Sequence, residues 1–173
     1  AGFLGLSNLV MFYDSNDIQL STRTEEVTAE DTAKKYEAWN WKVLTIDGND
    51  PREILGAMKA AREERDRPTL IIGKTIMGKG AVDAAGKSYE GQTSTHGMPL
   101  SAAGASFEKS IANLGGNPED PFVLFPEVKQ AWEKVLDQKR RAAAERRAQQ
   151  ADWEKVNPEL AEKYHAFLSG ELP

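Results

Sequence analysis

The sequence predicts an α/β fold, a parallel sheet with crossover helices followed by a helical tail. Three observations carry this. An apolar run at 9–13 shows no polar alternation, the pattern of a strand buried on both faces, and further strand patterns follow at 42–46 and 69–73. The stretches between them carry helix-start and helix-stop signals. The connections are short, as strand–helix–strand units require.

Each element has a local reason. Ala1-Gly2-Phe3-Leu4-Gly5-Leu6 reads as the end of a helix stopped by Gly5. No initiator Met or signal pattern precedes it, so the chain is expected to be a segment of something longer. Leu9-Val10-Met11-Phe12-Tyr13 forms the first strand, and Asp14-Ser15-Asn16-Asp17 stops it with turn formers. Thr28-x-x-Asp31 resembles a capping box with Asp in place of Glu, predicting a helix over 32–39. Lys42–Ile46 is the second strand. Asp50 then caps a second helix, Pro51 takes its first position and Glu53 reaches back. Ile54, Leu55, Met58 and Ala61 share its apolar face, and Arg65-Asp66-Arg67-Pro68 ends it. Thr69–Ile72 opens the third strand.

A Gly-rich stretch from Lys74 to Leu100 follows, long enough for a functional loop. Ser101 opens a predicted helix to about Leu114, broken by Gly115-Gly116-Asn117-Pro118. Beyond Pro126 a long helical pattern runs to about Val156. Val128, Ala131, Trp132, Val135 and Leu136 form its expected packing face, with Arg140, Glu145 and Arg147 in solvent. Asn157-Pro158-Glu159 starts a last helix that ends near Ser169-Gly170.

Composition narrows the function. A net charge of −5 argues against a general nucleic-acid binder. No apolar run approaches the roughly 18 residues of a membrane helix. The chain has no Cys and two His, which excludes disulfides and His- or Cys-rich metal clusters. The lack of Cys suits a reducing cytoplasm.

Several tempting motifs fail. Gly73-Lys74-Thr75 lacks the earlier Gly of a phosphate loop, because Pro68 stands there. Asp14, Asn16 and Glu25 occupy calcium-loop positions, but Gln19 replaces the required Gly. Gly78-x-Gly80-x-x-Asp83 lacks the last Gly of a dinucleotide fingerprint. Arg140, Arg141, Arg146 and Arg147 alternate with acids and read as a solvated helix face.

In a parallel sheet, ligands bind beyond the carboxyl ends of the strands. Asp14, Asn16 and Asp17 at one tip are either turn formers or oxygen ligands for Mg²⁺. Lys74, Thr75 and the glycines at another permit close approach to a phosphate. His96, in a Gly-rich loop, is either idle or a donor, acid or base.

Three segments in order carry a family resemblance. Leu9–Ile18 resembles the transketolase segment that completes the thiamine-diphosphate motif after its Gly-Asp-Gly opening. Lys74-Thr75-Ile76-Met77-Gly78-Lys79-Gly80 is similar to the family's next strand-end loop. Ser94-Thr95-His96-Gly97-Met98-Pro99-Leu100 resembles its His-Gly-x-Pro-Leu segment. The resemblance implies a partial thiamine-diphosphate-binding fold. Residues 1–114 would form part of the diphosphate-binding domain, and 115–173 a helical extension toward a pyrimidine-binding domain that the chain lacks. It implies transfer of a two-carbon ketol unit between sugar phosphates in the pentose phosphate pathway, by a cytoplasmic homodimer using thiamine diphosphate and Mg²⁺ or Ca²⁺. By position, Asn16 would ligate the metal and touch the diphosphate, and Ile18 would ligate the metal through its carbonyl. Met77 would pack near the thiazolium, and His96 would lie between diphosphate and substrate as the catalytic residue. Gly-Asp-Gly is absent from the chain, so the chain alone is expected to be inactive. Alternatives are a dihydroxyacetone synthase, a deoxyxylulose phosphate synthase or a noncatalytic α/β module.

Overall fold

The structure, a computed structural model, describes residues 1–170. The chain divides into two compact units, Ala1–Pro121 and the residues from Phe122 onward.

The first unit contains β1 (Val10–Ser15), α1 (Thr32–Ala38), β2 (Lys42–Asp47), α2 (Pro51–Glu63), β3 (Thr69–Lys74) and α3 (Phe107–Asn113). The strands form one parallel sheet in the order β1-β3-β2. β3 is the centre, and Thr69 to Gly73 are all buried. Its side chains alternate between two small cores. Leu70 and Ile72 pack with Trp41 under Ala33 and Tyr36 of α1. Ile71 packs with Ala57 and Ala61 of α2. Opposite faces of the sheet thus carry opposite helices. Burying each of these large aliphatic side chains contributes about 1.5–3 kcal/mol.

The local chemistry departs from the sequence reading in instructive places. Asp31 caps α1 by itself, accepting the Lys34 amide at 3.0 Å. Thr28 instead accepts the Glu30 amide, so no capping box forms there. Asp50 caps α2 as expected, accepting the Arg52 amide at 2.8 Å. Glu53 reaches back past it, to the Asp47 amide at 2.7 Å. The buried face of α2 is Ala57 and Ala61; Leu55 and Met58 are exposed. Small residues win here because they let the helix approach the sheet closely. β1 is buried on neither face along most of its length. Met11, Phe12 and Tyr13 are all exposed, because α1 and α2 pack chiefly over β2 and β3.

The expected helix from Ser101 begins later, at Phe107. Gly104 sits at φ +99°, a conformation outside any helix, and Ser106 is the true cap, accepting the Lys109 amide. The Gly-rich stretch before it is tied down. The Ser106 amide donates to the Val82 carbonyl at 2.8 Å, and Ser110 Oγ accepts the Val82 amide at 3.1 Å. Asn113 Nδ2 donates to the Gly80 carbonyl at 3.0 Å.

The second unit contains α4 (Pro126–Val156), about 46 Å long at 1.5 Å per residue, and α5 (Pro158–Ser169). Pro158 at the first position of α5 matches the turn expected at Asn157. The ring of Trp153 meets that of Tyr164 edge-on at 6.3 Å, and His165 Nε2 pairs with Glu154 at 3.1 Å. Val128, Ala131, Trp132 and Val135, expected to be covered, are exposed, and Leu136 is half-buried. Arg140, Glu145 and Arg147 are exposed as expected.

Candidate functional site

The carboxyl ends of β1 and β3 lie side by side, with Asp14 opposite Gly73 and Ser15 opposite Lys74. Polar cross-links bind the two ends. Thr75 Oγ1 donates to the Asp14 carboxylate, and the Thr75 amide donates to the Ser15 carbonyl at 3.3 Å. Lys74 Nζ donates to Ser15 Oγ at 2.9 Å and to Asp17 Oδ1 at 3.2 Å.

Beyond β1 the chain reverses sharply. Asn16 Oδ1 accepts the Ile18 amide at 3.0 Å, an Asx turn. Asp17 takes φ +63°, which Asp tolerates better than most residues. Ile18 is buried and bridges Arg23 in the antiparallel sense. The flanking bonds of that bridge are Thr24 amide to Asp17 carbonyl and Gln19 amide to Thr22 carbonyl, both 3.0 Å. They leave the Ile18 carbonyl without a hydrogen-bond donor among the described residues. Asn16 Oδ1 keeps one lone pair uncommitted.

Beyond β3 the loop is held from the opposite side. The Gly48 amide donates to the Lys74 carbonyl at 2.7 Å, and Asn49 Oδ1 accepts the Ile76 amide at 3.1 Å. Met77, half-buried, has its carbonyl fixed by the Gly91 amide at 2.9 Å. Gly78 at φ +64° turns the chain beneath Thr95. Thr93–Thr95 form a single 3-10 turn, and His96 caps it. His96 Nδ1 is buried and has no partner among the described residues. Leu20 Cδ2 lies against Gly97, so the loop after Ile18 touches the loop carrying His96.

Each expected site residue therefore has a place. Asn16 and Ile18 sit in one turn at the end of β1, Met77 in the loop after β3, and His96 in the loop that meets Leu20. Three positioning contacts were absent from the sequence reading: Asn49 on Ile76, Lys74 on Asp17, and Leu20 on Gly97. Lys74 and Asp17 were marked at two strand tips but not as a pair, and Asn49 stood in an Asp-Gly-Asn-Asp turn, while nothing marked Leu20.

The donor set fits a metal–diphosphate group. An amide oxygen with a free lone pair and an uncommitted carbonyl on a buried residue are hard oxygen donors, which Mg²⁺ and Ca²⁺ prefer. The buried, unpartnered imidazole nitrogen of His96 can pair with a phosphate or sugar oxygen. Among the described residues no cluster of three or more His, Cys, Asp or Glu is arranged for a metal. A metal here would take backbone, amide and phosphate oxygens.

Comparison with known proteins shows the family. Residues 1–173 match the family described as transketolase, thiamine diphosphate binding domain. The chain is 35% identical over 174 residues to transketolase 2 of Escherichia coli (strain K12), covering all of this chain and 25% of that one. Transketolase of Bacillus subtilis (strain 168) is 35% identical over 175 residues, with the same shares. A Pichia stipitis transketolase structure in complex with sedoheptulose-7-phosphate matches the whole chain with TM-score 0.85 and 27% identity, over 25% of its own length. The Leishmania mexicana enzyme matches with TM-score 0.82 and 25% identity, again over the whole chain and 25% of its own. The chain thus spans about a quarter of the length of these relatives. With its parallel sheet, its strand-end turn and its match along the full sequence, this chain belongs to the transketolase family, within the thiamine diphosphate binding domain.

Proposed function

We propose that the chain acts as part of a longer transketolase that moves a two-carbon ketol unit between sugar phosphates, with thiamine diphosphate and Mg²⁺. The Ile18 carbonyl carries the reading, being a buried residue's acceptor left open beside the Asn16 amide oxygen. Asn16 Oδ1 and the Ile18 carbonyl hold the metal, and Asn16 also touches the diphosphate. Met77 offers an apolar surface to the thiazolium. His96 donates to oxygen on the diphosphate or the sugar and stabilises charge there. The cofactor supplies the carbanion chemistry when bound, and these residues orient it and its metal. Residues 1–114 serve as part of the diphosphate-binding domain, and 115–173 as an extension toward the pyrimidine-binding domain. The working enzyme is a cytoplasmic homodimer. Among the described residues no helix is long and apolar enough to cross a membrane.

Two substitutions in the full-length protein test this. Asn16→Ala should weaken Mg²⁺ and thiamine diphosphate together, on the order of 10–100-fold. His96→Ala should mainly lower transfer to and from the sugar. Wild-type cofactor affinity and turnover in both variants would leave Asn16 as a turn residue and His96 as an idle loop residue. The 173-residue chain alone should show no ketol transfer, and turnover of xylulose 5-phosphate with ribose 5-phosphate by it would contradict the proposal.

A further inference from the structure

Lys74 closes β3 in register with Ser15, the last residue of β1. Its ammonium donates to Ser15 Oγ on one side of Asn16 and to Asp17 Oδ1 on the other. Ser15 is buried, and its hydroxyl accepts from Lys74. Asp17 holds a left-handed backbone conformation, which a non-glycine residue keeps when its surroundings support it. Asn16 is thus bracketed by two residues that share one cation, and Asn16 in turn sets Ile18 through its amide oxygen.

We propose that Lys74 is a positioning residue for this turn. Through Ser15 and Asp17 it holds Asn16 Oδ1 and the Ile18 carbonyl in the arrangement that a magnesium diphosphate takes up. The inference rests on the metal-site reading above. Lys74 and Asp17 are each about half exposed, with side-chain exposures of 54% and 54%. Their attraction is therefore screened by salt, and the effect is modest.

The test is a magnesium chloride titration of the full-length protein at fixed thiamine diphosphate, followed by tryptophan fluorescence and so independent of turnover. Lys74→Met and Asp17→Asn should each weaken magnesium binding roughly fivefold at low salt, and less at high salt. The double variant should be no weaker than either single one, and Lys74→Arg should recover most of the affinity. Losses that multiply in the double variant would overturn the proposal, because Lys74 would then act on the ligand directly. Unchanged magnesium affinity in Lys74→Met, with loss in Asn16→Ala, would overturn the positioning role and leave the metal site standing. Absence of magnesium binding in the wild-type protein would overturn both.

Discussion

Gly48→Ala should loosen the site from a distance, and Gly56→Ala should do the reverse. A Cβ on Gly48 would lie 2.9 Å from the Cα and carbonyl carbon of Gly73, and 2.6 Å from Thr75 Cγ2. The Gly73 contact is with backbone, so no rotamer change relieves it. Gly73 has little room to yield, since Phe12 and Gly48 already crowd it. Overpacking of this kind costs about 1–3 kcal/mol. Gly56 lies inside α2 with nothing within 4 Å of an added Cβ. Alanine there removes backbone freedom from the unfolded chain and should gain about 0.5–1 kcal/mol. Amide hydrogen exchange read by mass spectrometry on peptides covering β2–α2 and β3 separates the two. Gly48→Ala should speed local opening roughly 5- to 150-fold, and Gly56→Ala should slow it roughly 2- to 5-fold. The Gly48 amide holds the Lys74 carbonyl at the foot of the Met77 loop, so thiamine diphosphate affinity should fall only in the first variant. Unchanged exchange in Gly48→Ala, or equal loss in both variants, would refute the close-approach argument.

Two further outcomes follow from other contacts. Arg52, through its guanidinium and then its amide, holds the Asp50 carboxyl below the usual carboxylate range. The support that Asp50 gives the start of α2 should be full above about pH 3.9 and vanish as pH falls through its lowered value. The Arg52 amide resonance should report this step, and Asp50→Asn should abolish it. Ser110→Ala would strip the buried Val82 amide of its partner. That costs about 1–3 kcal/mol and should appear as faster proteolysis between residues 82 and 100.

Much of the fold was legible because it is written locally. The three strands are centred on short apolar stretches, and Asp50-Pro51 signals a helix start by stereochemistry alone. The misreadings arise where tertiary context decides. Ser101 and Ser106 are equally good caps by residue type, and the choice falls to Gly104's conformation and the Ser106–Val82 bond. The apolar residues of β1 predicted two buried faces, yet burial depends on what packs over a strand, and α1 and α2 lie chiefly over β2 and β3. The candidate site was marked by motif resemblance. Asn16, Ile18, Met77 and His96 were marked by their segments, while the Ile18 carbonyl's freedom is a backbone property that no side chain announces. The Lys74–Asp17 and Asn49–Ile76 contacts depend on strand register, which is fixed only when the sheet assembles.

The strand order has a consequence for how the chain acquires its shape. β3 is the last of the three strands in sequence, yet it lies between the other two. A ribosome therefore releases β1 and β2 before the strand that both must join. The pairing of β1 with β3 closes 59 residues of chain, and that of β2 with β3 closes 27. The longer closure costs roughly 0.7 kcal/mol more in loop entropy. That difference favours pairing of β2 with β3 ahead of β1 by roughly threefold. The Lys74 bonds to Ser15 and Asp17 that flank Asn16 depend on that longer closure.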